Sequence, residues 1–131
     1  MKANELMIGD WVYNPFTRKK LRLTFGRDID LAEELCLEPI PLTAEILEKN
    51  GFEELMNESE EVAAKFGRKP EPTGVWQYGF GQFDSVAYVP EQSFLRIKFM
   101  EGCQADIANI KYVHELQHAL RLCGIEKEIE L

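Results

Sequence analysis

Residues Asn109–Gly124, N-I-K-Y-V-H-E-L-Q-H-A-L-R-L-C-G, carry the clearest helical pattern of the chain. At 100° per residue its apolar side chains fall in one arc of about 120°, the pattern of an amphipathic helix. Asn109 suits the helix N-cap, and Gly124 suits the left-handed residue that ends a helix. The sequence therefore predicts a helix over 110–123 that packs on a sheet. The apolar arc consists of Tyr112, Val113, Leu116, Ala119, Leu120 and Cys123.

The same stretch contains His114-Glu115-Leu116-Gln117-His118, which matches the zinc-hydrolase pattern H-E-x-x-H. In that pattern the histidines bind zinc and the glutamate is the general base. On the helical wheel, however, both histidines lie almost opposite the apolar arc and beside two cations, so they are predicted to face solvent. The chain also lacks the third histidine of the longer metzincin pattern. We interpret the match as coincidental and predict no cofactor; a zinc-dependent hydrolase using His114, Glu115 and His118 is the alternative.

Composition limits the class of protein. The 131 residues are 45% apolar, enough for the core of one domain, 1–131, which can divide into two lobes, 1–67 and 75–131. A net charge of −8 argues against nucleic acid as the default partner. No segment is long and apolar enough to span a membrane, and the N-terminus lacks a signal-peptide pattern, so no membrane contact is expected. Three scattered cysteines without C-x-x-C predict reduced thiols and a cytoplasmic location.

One basic cluster interrupts this acidic composition. It consists of Arg18, Lys19, Lys20 and Arg22. The alternation over 20–25, with Leu21, Leu23 and Phe25 inward, predicts a strand that pairs with residues near 6–13 as a hairpin. Lys20 and Arg22 then lie on its wet face, and a solvated sheet face is the simplest interpretation. The functional interpretation is that the four residues, with exposed aromatic side chains, bind an acidic or phosphate-bearing partner, either a protein or a nucleic acid.

The middle of the chain predicts two helices after an ambiguous segment. Residues 29–37 fit either a strand or a helix, and we favour a strand over Leu35–Glu38. A helix near 44–50 should begin after Thr43 and end at Gly51. A second helix, near 58–66, has Asn57 as its predicted cap. The predicted buried side of this second helix consists of Met56, Val62, Ala63 and Phe66.

Three strands are predicted after a Pro- and Gly-rich loop over 68–74. They are Val75–Phe80, Phe83–Val89 and Phe94–Met100. Aromatic residues in this region could stack bases, although packing against the helices is the simpler interpretation. Together the elements predict an α+β fold. It comprises a small bent antiparallel sheet at the N-terminus, helices, a three-stranded antiparallel meander and the C-terminal amphipathic helix.

Three blocks of the sequence resemble a known group of proteins. They are L-x-I-G-D-W-V from Leu6, E-P-I-P-L-T-x-E-x-L-x-x-x-G-F from Glu38, and I-K-Y-V-H-E-L-Q from Ile110. This order resembles a family of small uncharacterised proteins of gut bacteria and of their phages and mobile elements. The opening strand, after its Gly-Asp turn, also loosely resembles SH3-like barrels. Neither resemblance implies a catalytic residue, so we expect a non-enzymatic binding or accessory protein.

Overall fold

A computed structural model describes residues 1–79, 84–99 and 102–131. The predicted strand ends Phe80, Phe83 and Met100 lie outside these residues. The predicted α+β class is confirmed, because helices accompany two antiparallel sheets. In chain order the elements are β1 (Trp11–Asn14), β2 (Lys19–Arg22), α1 (Gly26–Asp30), β3 (Glu38–Pro39), α2 (Ala44–Lys49), β4 (Glu53–Met56), α3 (Glu60–Lys65), β5 (Pro72–Gly79), β6 (Ser85–Val89), β7 (Phe94–Lys98), β8 (Gln104–Ile107) and α4 (Val113–Leu122).

The chain divides into two compact units. Unit 1 contains Met1–Thr43 and Lys111–Ile129, and unit 2 contains Ala44–Ile110 and Glu130–Leu131. The predicted lobes differ from this division, because they placed the C-terminal helix with the meander. In the structure the backbone before α4 pairs with the segment after β3. The amide of Val113 donates to the carbonyl oxygen of Ile40 at 2.9 Å, which ties α4 to the N-terminal sheet.

Unit 1 is built on a three-stranded sheet in the order β2-β1-β3. The predicted hairpin is confirmed, with Val12 opposite Leu21 in an antiparallel register. Val12 and Leu23 are fully buried in a core cluster that also contains Leu6, Ala32 and Leu37. The inward placement of Phe25 was wrong: this side chain is 58% exposed, and the Arg27 guanidinium lies 5.3 Å from its ring centre. The likeness to SH3-like barrels stays a prediction.

The segment before β3 folds into turns. The favoured strand over Leu35–Glu38 was wrong except at its last residue, since β3 begins at Glu38. The reason is that local bonds satisfy the backbone: the amide of Leu35 donates to the carbonyl of Leu31 at 2.9 Å, and that of Leu37 to Ala32 at 3.1 Å. These bonds complete the turns that follow α1.

Unit 2 is built on a five-stranded antiparallel sheet in the order β4-β5-β6-β7-β8. The predicted meander forms its centre, β5 to β7. The edge strands β4 and β8 were not predicted, because they are short and lack the β-branched and aromatic alternation of the central strands. Buried side chains on the central strands alternate along the chain and form the core face of the sheet. They include Val86, Tyr88, Leu95 and Ile97.

The two short helices of unit 2 agree only in part with prediction. α2 ends as expected: Gly51 has a φ of +86°, and the amide of Phe52 donates to the Leu47 carbonyl at 3.0 Å. For α3 the predicted cap was wrong, because the Ser59 hydroxyl accepts from the Val62 amide at 3.2 Å and Asn57 lies outside the helix. Its predicted buried side holds only at Ala63, which is fully buried. Met56, Val62 and Phe66 are exposed.

The predicted C-terminal helix is confirmed as α4, which starts later than expected, at Val113. Asn109 lies outside the helix with a φ of +62°, and Tyr112 occupies the N-cap position. The end agrees with prediction, since Gly124 has a φ of +73° and the amide of Ile125 donates to the Leu120 carbonyl at 2.9 Å. α4 is the longest helix among the described residues, and no helix there is long and apolar enough to cross a membrane.

Candidate functional site

The polar side of α4 is largely enclosed within unit 1. His114 is 7% exposed and Gln117 is 4% exposed, and 24% of the His118 side chain is exposed. The prediction that both histidines face solvent was therefore wrong. The helical wheel locates the apolar side of a helix, but it gives no information about polar partners supplied from elsewhere in the chain. Here those partners come from the turn that precedes β1.

Asp10, at the end of that turn, is fully buried and forms the centre of a charged cluster. One carboxylate oxygen lies 2.6 Å from His118 Nε2 and accepts the Met7 amide at 2.8 Å. The other accepts from Arg121 Nη1 at 3.2 Å. An ionised carboxylate only accepts hydrogen bonds, so the His118 tautomer with its proton on Nε2 fits this contact. A buried carboxylate with three donors holds α4 to the N-terminal turn.

Gln117 adds a second connection between α4 and the same turn. Its side-chain oxygen accepts from the Trp11 amide at 3.0 Å, and its Nε2 donates to the Gly9 carbonyl at 3.0 Å. Gly9 has a φ of +92°, a conformation that glycine adopts without strain. The side chain of Gln117 therefore satisfies two backbone groups where the chain enters β1.

The ring of His114, unlike the side chains of Asp10 and Gln117, has a buried polar atom without a hydrogen bond among the described residues. This atom is Nδ1. Burial lowers the pKa of this imidazole below its ordinary value of 6.5, and nearby His118 lowers it further, although Asp10, Glu115 and Glu5 act in the opposite direction. His114 and His118 line a cavity of about 350 Å³, and their ring centres are 5.5 Å apart at an interplanar angle of 77°. The neutral form of His114 is therefore favoured in this setting.

Glu115 occupies the position of the general base in the H-E-x-x-H pattern, but its carboxylate caps α4. One oxygen accepts from the amides of Lys111 and Tyr112, each at 3.0 Å. This is the capping arrangement expected of a glutamate in the first helical turn. Among the described residues, no group of three or more His, Cys, Asp or Glu side chains is arranged to hold a metal ion. Glu115 and His118 thus both have structural partners.

The β1–β2 hairpin presents the other predicted residues. Arg18, Lys19 and Lys20 are all exposed, and Phe16 at the hairpin tip is 72% exposed. The three cations make no ion pair within the described part of the chain. We call Phe16, Arg18, Lys19 and Lys20 the hairpin surface. Phe16 was not singled out from the sequence, although its place after the Asn14-Pro15 turn signal is typical of an exposed tip.

Arg22 differs from the other three predicted cations. Its side chain is 35% exposed; Nε donates to the Gly9 carbonyl at 3.2 Å, and Nη2 lies 3.5 Å from the Glu128 carboxylate. The register places it opposite Trp11, and it places Lys20 opposite Tyr13. Residues paired across an antiparallel sheet share a face, so these four side chains lie on one side of the hairpin. Arg22 thus lies next to the hairpin surface, but contacts with Gly9 and Glu128 already use part of its donor capacity.

The aromatic residues of the unit 2 meander are mainly part of its packing. The ring centres of Tyr78 and Phe52 are 5.4 Å apart, and the buried Tyr88 hydroxyl donates to the Ile110 carbonyl. Trp76 is half-buried. These contacts favour the packing interpretation over base stacking on this sheet.

Comparison of the chain with protein-family models, with curated protein sequences and with solved structures finds no match in any of the three.

Proposed function

We propose that this is a non-enzymatic binding protein whose hairpin surface binds a phosphate-bearing, single-stranded nucleic acid. The observation that carries the proposal is the presence of three exposed cations, Arg18, Lys19 and Lys20, in the same hairpin as the exposed ring of Phe16. Cations attract the phosphate backbone, and an exposed aromatic ring can stack on a base of any sequence. A cationic hairpin with an aromatic tip supplies both contacts.

The distribution of charge between the units supports this choice despite the acidic composition. Unit 1 contains nine basic and ten acidic residues, whereas unit 2 contains six basic and thirteen acidic residues. Most of the net charge of −8 therefore belongs to unit 2, and unit 1 is close to neutral. Because exposed charges are screened beyond about 10 Å at moderate salt, the local cations decide what approaches the hairpin.

The arginines of unit 2 provide a contrast. Arg68 pairs with Glu58 through two contacts of 2.7 and 2.6 Å, and Arg96 pairs with Asp106 at 2.9 and 3.3 Å. These pairs raise the pKa of both arginines and lower that of Asp106. A phosphate would have to compete with a carboxylate already in place there. At Arg18 the described structure shows no such competitor.

We also propose a biological process and a cellular location for the protein. The three blocks that resemble small proteins of gut bacteria, phages and mobile elements suggest an accessory role in the replication or transfer of such elements. The three free cysteines, Cys36, Cys103 and Cys123, are consistent with action in the cytoplasm. The zinc-hydrolase alternative has less support, because Glu115 caps α4 and His118 pairs with Asp10.

Fluorescence anisotropy with a short, labelled single-stranded oligonucleotide of mixed sequence tests the proposal. The variant Arg18→Ala/Lys19→Ala/Lys20→Ala should bind at least about tenfold more weakly at low salt, because three phosphate contacts are lost. The matched control, Lys49→Ala/Lys65→Ala/Lys98→Ala, removes the same charge from exposed positions of unit 2 and should change affinity little. Equal weakening by both variants, or by neither, would contradict the proposal.

Phe16→Ala tests the stacking contact separately. Loss of one base–aromatic stack should cost about 1–3 kcal/mol of binding free energy. The matched control is Phe66→Ala, because Phe66 is 69% exposed in unit 2. An acidic protein partner in place of a nucleic acid would be indicated if no oligonucleotide binds while a polyglutamate peptide does.

A further inference from the structure

Two guanidinium groups of unit 1 converge on the same side of Gly9. A methyl group placed on Gly9 would lie 2.8 Å from Arg121 Nη2 and 3.9 Å from Arg22 Nη2. A Cβ at this point would therefore require the end of the Arg121 side chain to shift. One arginine from β2 and one from α4 thus both end close to Gly9.

Each arginine is oriented by a contact that uses only part of its donor capacity. Arg22 donates through Nε to the Gly9 carbonyl, and Arg121 donates through Nη1 to Asp10. A guanidinium group has five N–H donors in a rigid plane, so both side chains retain N–H groups for another acceptor. Both line a cavity of about 220 Å³, whose other walls are Gln117 and the segment 125–129.

The carboxylates that contact the two arginines, those of Asp10 and Glu128, do not prevent an anion from binding there. Asp10 is shared between Arg121 and His118. Glu128 is 3.5 Å from Arg22, longer than the 2.7–2.9 Å of a strong charge-assisted bond, and its side chain is 74% exposed. Exposed ion pairs of this kind contribute little and can be exchanged. Glu126 also lines the cavity and is exposed, so its repulsion toward an anion is screened by solvent.

We infer that Arg22 and Arg121 form a binding site for one phosphate group, which takes the place of the Glu128 carboxylate. The inference rests on the proposed function, because it assigns the phosphate to the same nucleic-acid strand. Lys20 and Arg22 lie on one face of β2 two residues apart, about 7 Å along a strand. A strand that contacts the hairpin surface can therefore continue along this face into the cavity, where planar guanidinium groups bind phosphate through paired N–H donors.

NMR of the arginine Nε–H signals in the whole chain, during titration with inorganic phosphate, tests the site directly. The Arg22 and Arg121 signals should shift and saturate with phosphate, but not with chloride at the same ionic strength. Glu128→Gln removes the competing carboxylate and should strengthen phosphate binding about two- to fivefold. Arg22→Gln should abolish the saturable shift of the Arg121 signal. Non-saturable shifts in the wild type, or unchanged affinity in Glu128→Gln, would overturn the inference.

The hairpin variant separates this inference from the proposed function. Arg18→Ala/Lys19→Ala/Lys20→Ala should lose oligonucleotide affinity while the phosphate-induced shifts of Arg22 and Arg121 persist. If the wild type shows saturable phosphate shifts and oligonucleotide does not compete with phosphate there, the site belongs to a free phosphate compound and the assignment to a nucleic-acid strand falls. If oligonucleotide binds but causes no shift at Arg22 or Arg121, the proposed function stands and the inference fails.

Discussion

The polar side of α4 and the β1–β2 hairpin both carry charged side chains of unit 1, but they use these charges differently. On α4, His118 and Arg121 converge on the buried carboxylate of Asp10. On the hairpin, Arg18, Lys19 and Lys20 face solvent without an ion-pair partner among the described residues. Buried charge is costly unless it is paired, whereas exposed charge is solvated at little cost. We therefore attribute stability to the first region and binding to the second.

The largest expected effect is on the buried cluster. Asp10→Ala leaves His118, Arg121 and the Met7 amide without their shared acceptor, so it should lower the free energy of unfolding by about 3–5 kcal/mol. Urea denaturation followed by tryptophan fluorescence measures this. Glu128→Ala is the matched control, since it removes an exposed carboxylate paired with an arginine and should cost less than about 0.5 kcal/mol. Similar losses in both variants would remove the distinction between the two regions.

A smaller effect is expected at Gln117. Gln117→Ala removes both hydrogen bonds to the backbone at Gly9 and Trp11 and leaves the Trp11 amide unsatisfied. The expected loss is about 1–3 kcal/mol in the same unfolding experiment. Gln104→Ala serves as the control, because Gln104 is exposed and its side-chain amide donates to the partly exposed Asp106 carboxylate. An effect at Gln117 no larger than that at Gln104 would contradict the assigned role.

His114 should make stability depend on pH. Its pKa is lower in the folded state than its ordinary value of 6.5, so the unfolded chain binds the proton more readily. Stability should therefore be full above about pH 6.5 and should fall as the pH decreases toward the folded-state pKa. His114→Phe should flatten this part of the profile in urea unfolding measured at several pH values. An unchanged profile would show that His114 does not titrate in this way.

The smallest effect on stability is expected at the hairpin surface. Each of Arg18→Ala, Lys19→Ala and Lys20→Ala should change the free energy of unfolding by less than about 0.5 kcal/mol, because these side chains lack protein partners among the described residues. Thermal unfolding of the three single variants checks this. A loss above 1 kcal/mol in any of them would identify a structural role for that cation.

Local sequence signals predicted the elements that are set by interactions between residues close in the sequence. The alternation over 20–25 predicted the hairpin, although its Phe25 is exposed, and the glycine stops at Gly51 and Gly124 predicted the ends of α2 and α4. β8 was missed because Gln104–Ile107 carries little apolar pattern of its own, and only its pairing with β7 defines it. Short edge strands are specified mainly by their neighbours.

The candidate site was predictable only on the hairpin. The alternation placed Lys20 on the exposed strand face, and Arg18 and Lys19 belong to the same basic cluster of the sequence. The partner of His118 could not be inferred, because Asp10 is 108 residues away and only the fold brings them together. Taken alone, Gly9-Asp10 predicts only a turn before a strand, and the H-E-x-x-H match predicts only a segment of an amphipathic helix. Their joint meaning, a buried cluster that fixes α4 to unit 1, depends on tertiary structure.

The salt dependence of oligonucleotide affinity measures whether the hairpin surface binds the phosphate backbone. Each phosphate contact with a single strand contributes about 0.7 to the slope of log K against log salt concentration. We expect the slope for Arg18→Ala/Lys19→Ala/Lys20→Ala to be smaller than that of the wild type by about 2. The control variant Lys49→Ala/Lys65→Ala/Lys98→Ala should keep the wild-type slope. Equal slopes for the wild type and the hairpin variant would contradict the assignment of binding to the hairpin.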